Sequence, residues 1–287
     1  MRIALATAIA AFALDEDLPP LRAALEARGH RAEPVAWDDP TVSWARFDLV
    51  LLRSTWNYTQ QPEAFLRWCE TVASQTRLLN PPALVRWNID KRYLGELARA
   101  GLPVVPSHYL APGEDPAGFP AFDEFVVKPC IGAGSRDTQR YTAPNRAAAV
   151  AHVRRLLEAG RHVLVQPYLE AVDTQGETAL LFFDGHYSHA IRKGPLLARD
   201  GEATRALFAP ETISPREPSA VEFEVAHRVL AAIPGGLPLY ARVDLLPGAD
   251  GPRLLELELT EPSLFFSFAP GSAERFAAAL DTVLATP

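Results

Sequence analysis

Four charged residues stand on two short apolar segments near the carboxyl end of the sequence. Arg242 and Asp244 are two positions apart in the first segment, and Glu256 and Glu258 are two positions apart in the second. Because side chains alternate between the faces of a strand, each pair shares one face, opposite apolar residues such as Leu255. Paired as a hairpin, the strands bring one arginine to three carboxylates, a set of hard oxygen ligands that suits Mg²⁺ or Mn²⁺ and not Zn²⁺. The alternative is a hairpin whose polar face is only solvated.

A glycine-containing loop follows a second apolar segment, Phe-Val-Val, which ends at Lys128. The loop contains Gly132, Gly134 and Ser135, and a glycine lets backbone N–H groups approach an anion closely. No Gly-Lys-Ser/Thr follows, and Asp137 stands where a dinucleotide fingerprint has its third glycine, so neither of those motifs is present. The pattern predicts a loop directed at phosphate, with an ordinary mobile loop as the alternative.

A polar and aromatic segment comes directly after an apolar strand in the first sixty residues. Ligands of parallel sheets bind beyond the carboxyl ends of the strands, so this segment is a candidate substrate site. Arg53 suits a bidentate pair with a carboxylate, Trp56 and Tyr58 suit a wall, and Ser54 and Asn57 suit the orientation of polar groups. Alternatively, Trp56 and Tyr58 pack at a domain junction.

The elements that must position these residues are of two kinds. In the first eighty residues strand and helix patterns alternate, which predicts an α/β layer, βαβα, on a parallel sheet. The later sequence mixes hairpins with helices, which predicts an α+β module, and Asp184-Gly185 is a two-residue turn signal. Asn88 is predicted to cap a helix that runs through Lys91 to Gly101. Predicted strands cover residues 2–8, 47–52, 125–128, 162–166, 178–183, 187–193, 239–246 and 253–259, and further helices begin near residues 18, 62, 147, 217 and 273.

The charge composition excludes partners that need a broad cationic surface. The 287-residue chain has a net charge of −7 and no basic run, which argues against nucleic acid and anionic membranes as partners. Only three of its 28 basic residues are lysines, at positions 91, 128 and 193. Any anion must therefore be bound locally.

The two cysteines and the apolar runs bear on the compartment. Cys69 and Cys130 are too few for a disulfide framework and suit a reducing compartment. The run from Ala4 to Leu14 after Met1-Arg2 has the outline of a secretory signal, but it also suits a first buried strand. No other run approaches the ~20 apolar residues that span a bilayer. We predict a cytoplasmic protein.

In their order along the chain, these segments resemble the ATP-grasp superfamily of carboxylate–amine ligases. The resemblance covers residues 88–263, and the upstream layer resembles the domain before the grasp module in D-alanine–D-alanine ligase and glutathione synthetase. It implies a substrate domain over residues 1–85 and an ATP-grasp module of two subdomains, a small lid subdomain over 86–167 and a large one over 168–287. The segments that carry it are Asn88-Ile-Asp-Lys91, Val126-Val-Lys128-Pro, Gly132-Ala-Gly-Ser135, Val165-Gln166-Pro-Tyr168-Leu169-Glu170, Gly176-Glu177, Arg192-Lys193, Arg242-Val-Asp244 and Leu255-Glu256-Leu-Glu258.

The resemblance implies roles toward ATP. Lys91, Lys128 and Lys193 are expected at the phosphates, and residues 132–136, which include Ser135 and Arg136, form a lid over the transferred phosphoryl group. The adenine-reading hinge comprises Gln166, Tyr168 and Leu169, the ribose hydroxyls are assigned to Glu170 or Asp173, and Glu177 is the acidic residue of the next segment.

The charged hairpin takes the metal role in this resemblance. Asp244 and Glu256 resemble the carboxylates that hold Mg²⁺, and Arg242 resembles the arginine that steadies the acyl phosphate and the tetrahedral adduct. Glu258 stands where many relatives have asparagine, and this difference leaves the preference between Mg²⁺ and Mn²⁺ open.

The resemblance implies a ligase that phosphorylates a substrate carboxylate and lets a nitrogen displace phosphate, releasing ADP. The pattern Arg-Ser-x-Trp-x-Tyr, which begins at Arg53, resembles the cycloserine synthetase group, which closes O-ureido-D-serine. A ligase that makes dipeptides or modifies peptide ends, an ATP-grasp kinase and a non-catalytic nucleotide-binding protein are the alternatives. The expected partner is a small amino-acid-like molecule, and a homodimer is left open.

Overall fold

The computed structural model describes residues 1–198 and 212–285. Its amino-terminal part is a parallel sheet of four strands in the order β2-β1-β3-β4, which confirms the predicted α/β layer. The apolar run after Met1 forms the interior strand β1, and its residues 3–7 are buried. The elements of this part are β1 (Arg2–Thr7), α1 (Leu18–Ala27), β2 (Arg31–Ala36), β3 (Leu49–Leu52), α2 (Pro62–Gln75) and β4 (Arg77–Leu79).

The second part is an antiparallel sheet of four strands in the order β5-β8-β6-β7. The helix predicted to end at Gly101 is present over Tyr93–Arg99, but its predicted start and the Asn88 cap are wrong, because Asn88 ends a separate helix. Instead of capping a helix, the Asn88 amide donates to the Leu257 carbonyl at 2.7 Å and accepts from the Leu259 N–H at 2.8 Å. The elements are α3 (Pro82–Asn88), α4 (Tyr93–Arg99), β5 (His108–Leu110), β6 (Glu124–Pro129), β7 (Gln139–Thr142), α5 (Arg146–Glu158) and β8 (Val163–Pro167).

The third part is an antiparallel sheet of five strands in the order β11-β10-β9-β12-β13. Asp184 and Gly185 both have positive φ, 49° and 74°, as the predicted tight turn between β9 and β10 requires. The elements are α6 (Val172–Gln175), β9 (Glu177–Phe183), β10 (His186–Lys193), β11 (Ile213–Arg216), α7 (Ala220–Ala231), β12 (Tyr240–Gly248), β13 (Gly251–Glu258) and α8 (Ser272–Ala285).

Apolar residues cover both faces of this third sheet. Leu180 and Phe182 of β9 belong to a core that includes residues of α4 and α7, and Leu181 and Phe183 belong to a core that includes residues of α1 and α8. The alternation along β9 therefore divides its side chains between two cores, which explains why the strand is apolar throughout. No helix in the described part of the chain has the length and apolar character needed to cross a membrane.

The strands β12 and β13 pair in the register that the sequence predicts for the charged hairpin. Arg242 lies opposite Glu258, and Asp244 lies opposite Glu256. A β-bulge follows, so that Leu245 pairs with Leu254. The alternation predicted Leu255 on the face opposite Glu256, which is wrong, because the extra residue of a bulge turns one side chain out of phase. Leu254 is fully buried instead, and Leu255 lines the cavity described next.

Candidate active site

A cavity of about 420 Å³ is lined by residues of the second and third sheets and by loop residues of the first part. Most of the residues that the sequence singled out converge on it, although they are spread over two hundred positions. The predicted residues that line it are Trp56, Tyr58, Lys91, Lys128, Gly132, Gly134, Ser135, Gln166, Tyr168, Leu169, Glu177, Lys193, Arg242, Asp244, Glu256 and Glu258.

Two of the three lysines make ion pairs across the cavity. The Lys91 Nζ lies 2.8 Å from a Glu256 carboxylate oxygen and donates to the Gly132 carbonyl at 2.7 Å. The Lys193 Nζ donates to Glu177 at 2.6 Å and to Asp244 at 2.8 Å. Both ammonium groups are thereby held beside the acidic hairpin.

Lys128 lies at the end of β6 and is only 8% exposed. Within residues 1–198 and 212–285 its ammonium has no hydrogen bond or ion pair. Burial lowers the pKa of Lys128 to about 8, and the neighbouring Lys91 adds to that effect while Glu256 opposes it. The side chain is thus a buried cation that faces a cavity and can receive an anion from it.

Arg242 binds two carboxylates of the hairpin, those of Asp244 and Glu258. Its guanidinium donates twice to Asp244 at 2.9 Å, donates to Glu258, and reaches the Ser263 carbonyl at 3.1 Å. Burial alone would raise the pKa of Asp244, but Arg242 and Lys193 outweigh it and hold that pKa below its usual value. Arg242 therefore keeps Asp244 ionised inside the protein.

Three glutamates that line the cavity, Glu177, Glu256 and Glu258, have pKa values shifted in different directions. Burial would raise the pKa of Glu256, but Lys91 and Lys128 hold it below its usual value. For Glu258 and Glu177 burial prevails and raises each pKa to about 7. The cavity thus holds more acidic groups than its cations can keep ionised.

This donor set fits a magnesium-type ion. Mg²⁺ takes oxygen ligands and is usually bound through one or two carboxylates together with substrate phosphates. Asp244 and Glu256 are two ionised carboxylates on directly opposed positions. In the described residues no three histidine, cysteine or acidic side chains are arranged to hold a metal ion, so two carboxylates are what the hairpin offers.

The glycine loop contains a sharp turn. Gly134 and Ser135 have φ near +60°, which costs glycine little and serine more, and Asp137 has φ of 55°. The Asp137 carboxylate forms ion pairs with Arg155 at 3.0 Å and with Arg161 at 2.7 Å. Arg136, predicted as part of the lid, does not line the cavity.

The residues of the predicted adenine hinge line the cavity, whereas Asp173, one of the two predicted ribose ligands, is bonded to other side chains. Gln166 donates to the Ser107 hydroxyl at 2.9 Å, and the Arg140 guanidinium lies 3.5 Å from the centre of the Tyr168 ring. Asp173 accepts hydrogen bonds from Arg140 and Tyr168. Neither it nor Glu170 lines the cavity, which disfavours both as ribose ligands.

The predicted substrate segment divides in two. Arg53 is 1% exposed, donates to the Pro262 carbonyl at 2.8 Å and does not line the cavity, so the predicted direct contact with a substrate carboxylate is wrong. The Ser54 hydroxyl is hydrogen-bonded to the Thr7 hydroxyl, and the Asn57 amide is hydrogen-bonded to the Trp37 and Asp38 side chains. Both residues therefore stabilise the fold. Trp56 and Tyr58 do line the cavity.

The sequence analysis missed several cavity residues. Asp15 and Asp17, taken as helix-start residues, lie after β1, where the rule for ligands at strand ends could have identified them. Asp17 accepts the backbone N–H groups of Leu264 at 2.6 Å and Phe266 at 2.9 Å. Glu261 also lines the cavity, and its position just after β13 was the available signal.

Comparison with known proteins gives consistent matches. The family described as D-cycloserine synthetase DcsG, N-terminal domain, matches residues 3–80. The cycloserine biosynthesis protein DcsG of Streptomyces lavendulae is 45% identical over 97% of each chain. The crystal structure of D-cycloserine synthetase DcsG superposes with a TM-score of 0.93 at 44% identity, over 99% of this chain and 100% of that one. D-alanine–D-alanine ligase from Bacillus anthracis, complexed with ATP, shares the fold with a TM-score of 0.66 at 18% identity, over 100% of this chain and 97% of that one.

Proposed function

The chain belongs to the D-cycloserine synthetase DcsG family of ATP-grasp ligases, and we propose that it closes O-ureido-D-serine to D-cycloserine with ATP. It is an ATP-dependent, ADP-forming ligase. The observation that carries the proposal is the convergence of three lysines, Arg242 and the acidic hairpin on one cavity, with the Lys128 ammonium unpaired among the described residues.

We assign ATP to the part of the cavity between the second and third sheets. Lys91, Lys128 and Lys193 would bind its phosphates, and residues 132–136 would close over the terminal one. Gln166, Tyr168 and Leu169 would contact the base. The assignment is supported by the burial of all three lysines in the cavity that the glycine loop also lines, and by the hydrogen bond from Lys91 to the Gly132 carbonyl.

Asp244 and Glu256 would hold a divalent cation, and we propose Mg²⁺. Bound there, the cation would offset the charge of the phosphates. Glu258 is already bonded to Arg242, which supports a role in orienting that arginine more than a role as third ligand.

The chemistry needs two anions to meet. A carboxylate oxygen of the substrate attacks the terminal phosphorus, and the bond to the bridging oxygen breaks, which leaves ADP and an acyl phosphate. Lys128 and Arg242 would reduce the repulsion between the carboxylate and the phosphate, since fixed cations in a site shielded from water stabilise developing charge.

Ring closure follows at the same carbonyl. The nitrogen that is bonded to oxygen in the substrate attacks, and inorganic phosphate leaves. Arg242 would stabilise the tetrahedral oxyanion, and exclusion of water would protect the acyl phosphate from hydrolysis. By atom balance the carbamoyl group must also leave before the product is D-cycloserine: one water cleaves its bond to the ring nitrogen, that nitrogen takes a proton, and the group departs as carbamic acid, which decomposes to CO₂ and ammonia.

The test is a substrate screen with the purified protein, ATP and Mg²⁺ or Mn²⁺. O-Ureido-D-serine should release ADP and phosphate in equal amounts together with a cyclic product detected by mass spectrometry. D-amino acids, added singly and in pairs, are the controls for an intermolecular ligase. AMP and pyrophosphate, or a stable phosphorylated product, would contradict the proposal.

A further inference from the structure

One carboxylate in the cavity lacks the cation that its neighbours have. Glu256 pairs with Lys91, Glu258 pairs with Arg242, and Asp244 pairs with both Arg242 and Lys193. Glu261 is 8% exposed, yet within the described ranges it makes no ion pair.

Neutral donors hold Glu261 in place. Its carboxyl group is hydrogen-bonded by the Tyr58 side chain, and its backbone carbonyl accepts from the Trp56 indole at 3.1 Å. Burial, together with the nearby Glu258, raises the pKa of Glu261 to about 8. Lys91 is near enough to lower this pKa, but it does not outweigh the burial. A buried carboxylate without an ion pair is costly in its charged form, and a cation delivered by a ligand would relieve that cost.

The segment that carries Glu261 is fixed at three successive carbonyls. Trp56 donates to the Glu261 carbonyl, Arg53 to the Pro262 carbonyl and Arg242 to the Ser263 carbonyl. Arg242 is also the group that we assign to the reacting carboxyl of the substrate. Glu261 thus stands at a set position relative to that group, which is the preorganisation that a specific subsite requires.

A second acidic residue, Asp15, lines the same cavity. Asp15 is 6% exposed, and its Oδ2 is buried without a hydrogen-bond partner among the residues described. Burial raises the pKa of Asp15 too. The first-domain side of the cavity therefore offers acidic oxygens in excess of its cations.

We propose that Glu261 binds the α-ammonium group of the substrate and so selects molecules in which a free amino group adjoins the reacting carboxylate. The inference rests on the proposed function, because it takes the substrate to be an amino acid. Tyr58 acts as a positioning residue that directs the carboxylate toward the ammonium. Substrates without the amino group, or with an acylated one, should be strongly disfavoured.

The experiment compares O-ureido-D-serine with its analogue that lacks the amino group. In Glu261→Gln the shape and the hydrogen bond are retained and the charge is removed. The KM for O-ureido-D-serine should rise by ~30-fold or more, the KM for ATP should change less than about twofold, and the preference for the amino substrate should largely vanish. Glu224→Gln, the same change on the exposed surface, should keep all three values. Tyr58→Phe should keep the preference.

The outcomes separate the two proposals. If the unaltered protein turns over no O-ureido-D-serine, the proposed function fails. If it is active but Glu261→Gln keeps the wild-type preference, the ammonium subsite is wrong, and a loss of kcat alone would point to proton transfer instead. Should Glu261→Gln be inactive, calorimetric titration with O-ureido-D-serine in the presence of ADP decides, since unchanged affinity overturns the subsite and weakened affinity supports it.

Discussion

Each of the three lysines is nearly buried, yet they differ in what they contact. Lys91 and Lys193 are already paired with carboxylates, whereas Lys128 has only the cavity before it in the described part of the protein. A compact ammonium can sit between a phosphate and a metal ligand where the wide guanidinium of arginine does not fit. The remaining basic residues of the chain, 25 of 28, are arginines, so lysine is kept for this cavity.

Replacement of Lys128 should separate activity from stability. Lys128→Met is expected to lower kcat/KM by ~100-fold or more, since a fixed charge in the transition state is lost. The melting temperature should stay equal or rise, because burial disfavours the ammonium in the folded protein, as its lowered pKa indicates. Steady-state kinetics and thermal unfolding measure the two effects. Arg154→Met, an exposed control, should alter neither, and activity near wild type in Lys128→Met would remove the assigned role.

Single residues were predictable from sequence where their function depends on local pattern. Lys128 could be identified because it ends an apolar strand before a glycine loop, and Asp244 because it alternates with apolar neighbours. Arg53 was misassigned, because its partner is the carbonyl of Pro262, 209 positions away, and no local pattern reports that contact. Glu261 was missed although its position just after β13 was a local signal.

At the scale of elements, two asparagines, Asn80 after β4 and Asn88 at the end of α3, join their segments to the hairpin that carries the acidic residues. Asn88 is hydrogen-bonded to the backbone of β13. The Asn80 amide donates to the Tyr240 and Leu259 carbonyls and accepts from the Leu239 N–H at 3.1 Å. These bonds tie β4 and α3 to β12 and β13, so the register of the hairpin is supported from outside the sheet.

Loss of the Asn80 bonds should destabilise the whole chain. Asn80→Ala removes three hydrogen bonds to buried backbone groups and should lower the free energy of unfolding by on the order of 3 kcal/mol. Urea unfolding followed by circular dichroism measures the difference. Gln75→Ala, on the exposed end of α2, is the control. A loss below about 0.5 kcal/mol in Asn80→Ala would show that the Asn80 hydrogen bonds do not stabilise the fold.

The elements that the sequence did not predict are short or lie at sheet edges. β2 is an edge strand that contains Pro34 and lacks alternation, and β4 has only three residues. Both depend on pairing with β1 and β3 more than on their own composition. Four of the five strands of the third sheet were predictable, because they are long, whereas β11, with four residues at the edge of the sheet, was not predicted.

At the scale of the whole molecule, burial of two histidines links stability to pH. Burial lowers the pKa of His152 and of His189 to about 4, against 6.5 in an unfolded chain. Between these values the unfolded chain protonates both histidines and the folded chain does not, so the stability that these two residues contribute falls as the pH falls from 6.5 to 4. The raised pKa values of Glu177, Glu258 and Glu261 act in the opposite direction. Above pH 6.5 both contributions are fully present. Each is at most about 3 kcal/mol.

A variant at one of these positions tests the linkage. His152→Phe should reduce the difference in unfolding free energy between pH 7.5 and pH 5 by about 2 kcal/mol, because one titrating group is removed. Urea unfolding at the two pH values gives the difference. The exposed His186→Gln variant should resemble wild type, and an unaltered difference in His152→Phe would show that another group causes the acid sensitivity.

Confinement of every lysine to one cavity also determines how the protein responds to covalent chemistry. Apart from the amino terminus, a reagent that acylates amines finds all its targets in the cavity, and Lys128, whose pKa is lowered to about 8, presents more free amine near neutral pH than Lys91, whose pKa is raised. Coupling to a dye or a resin through lysine would therefore block the cavity and leave the outer surface unlabelled. Attachment chemistry for this protein has to address other side chains.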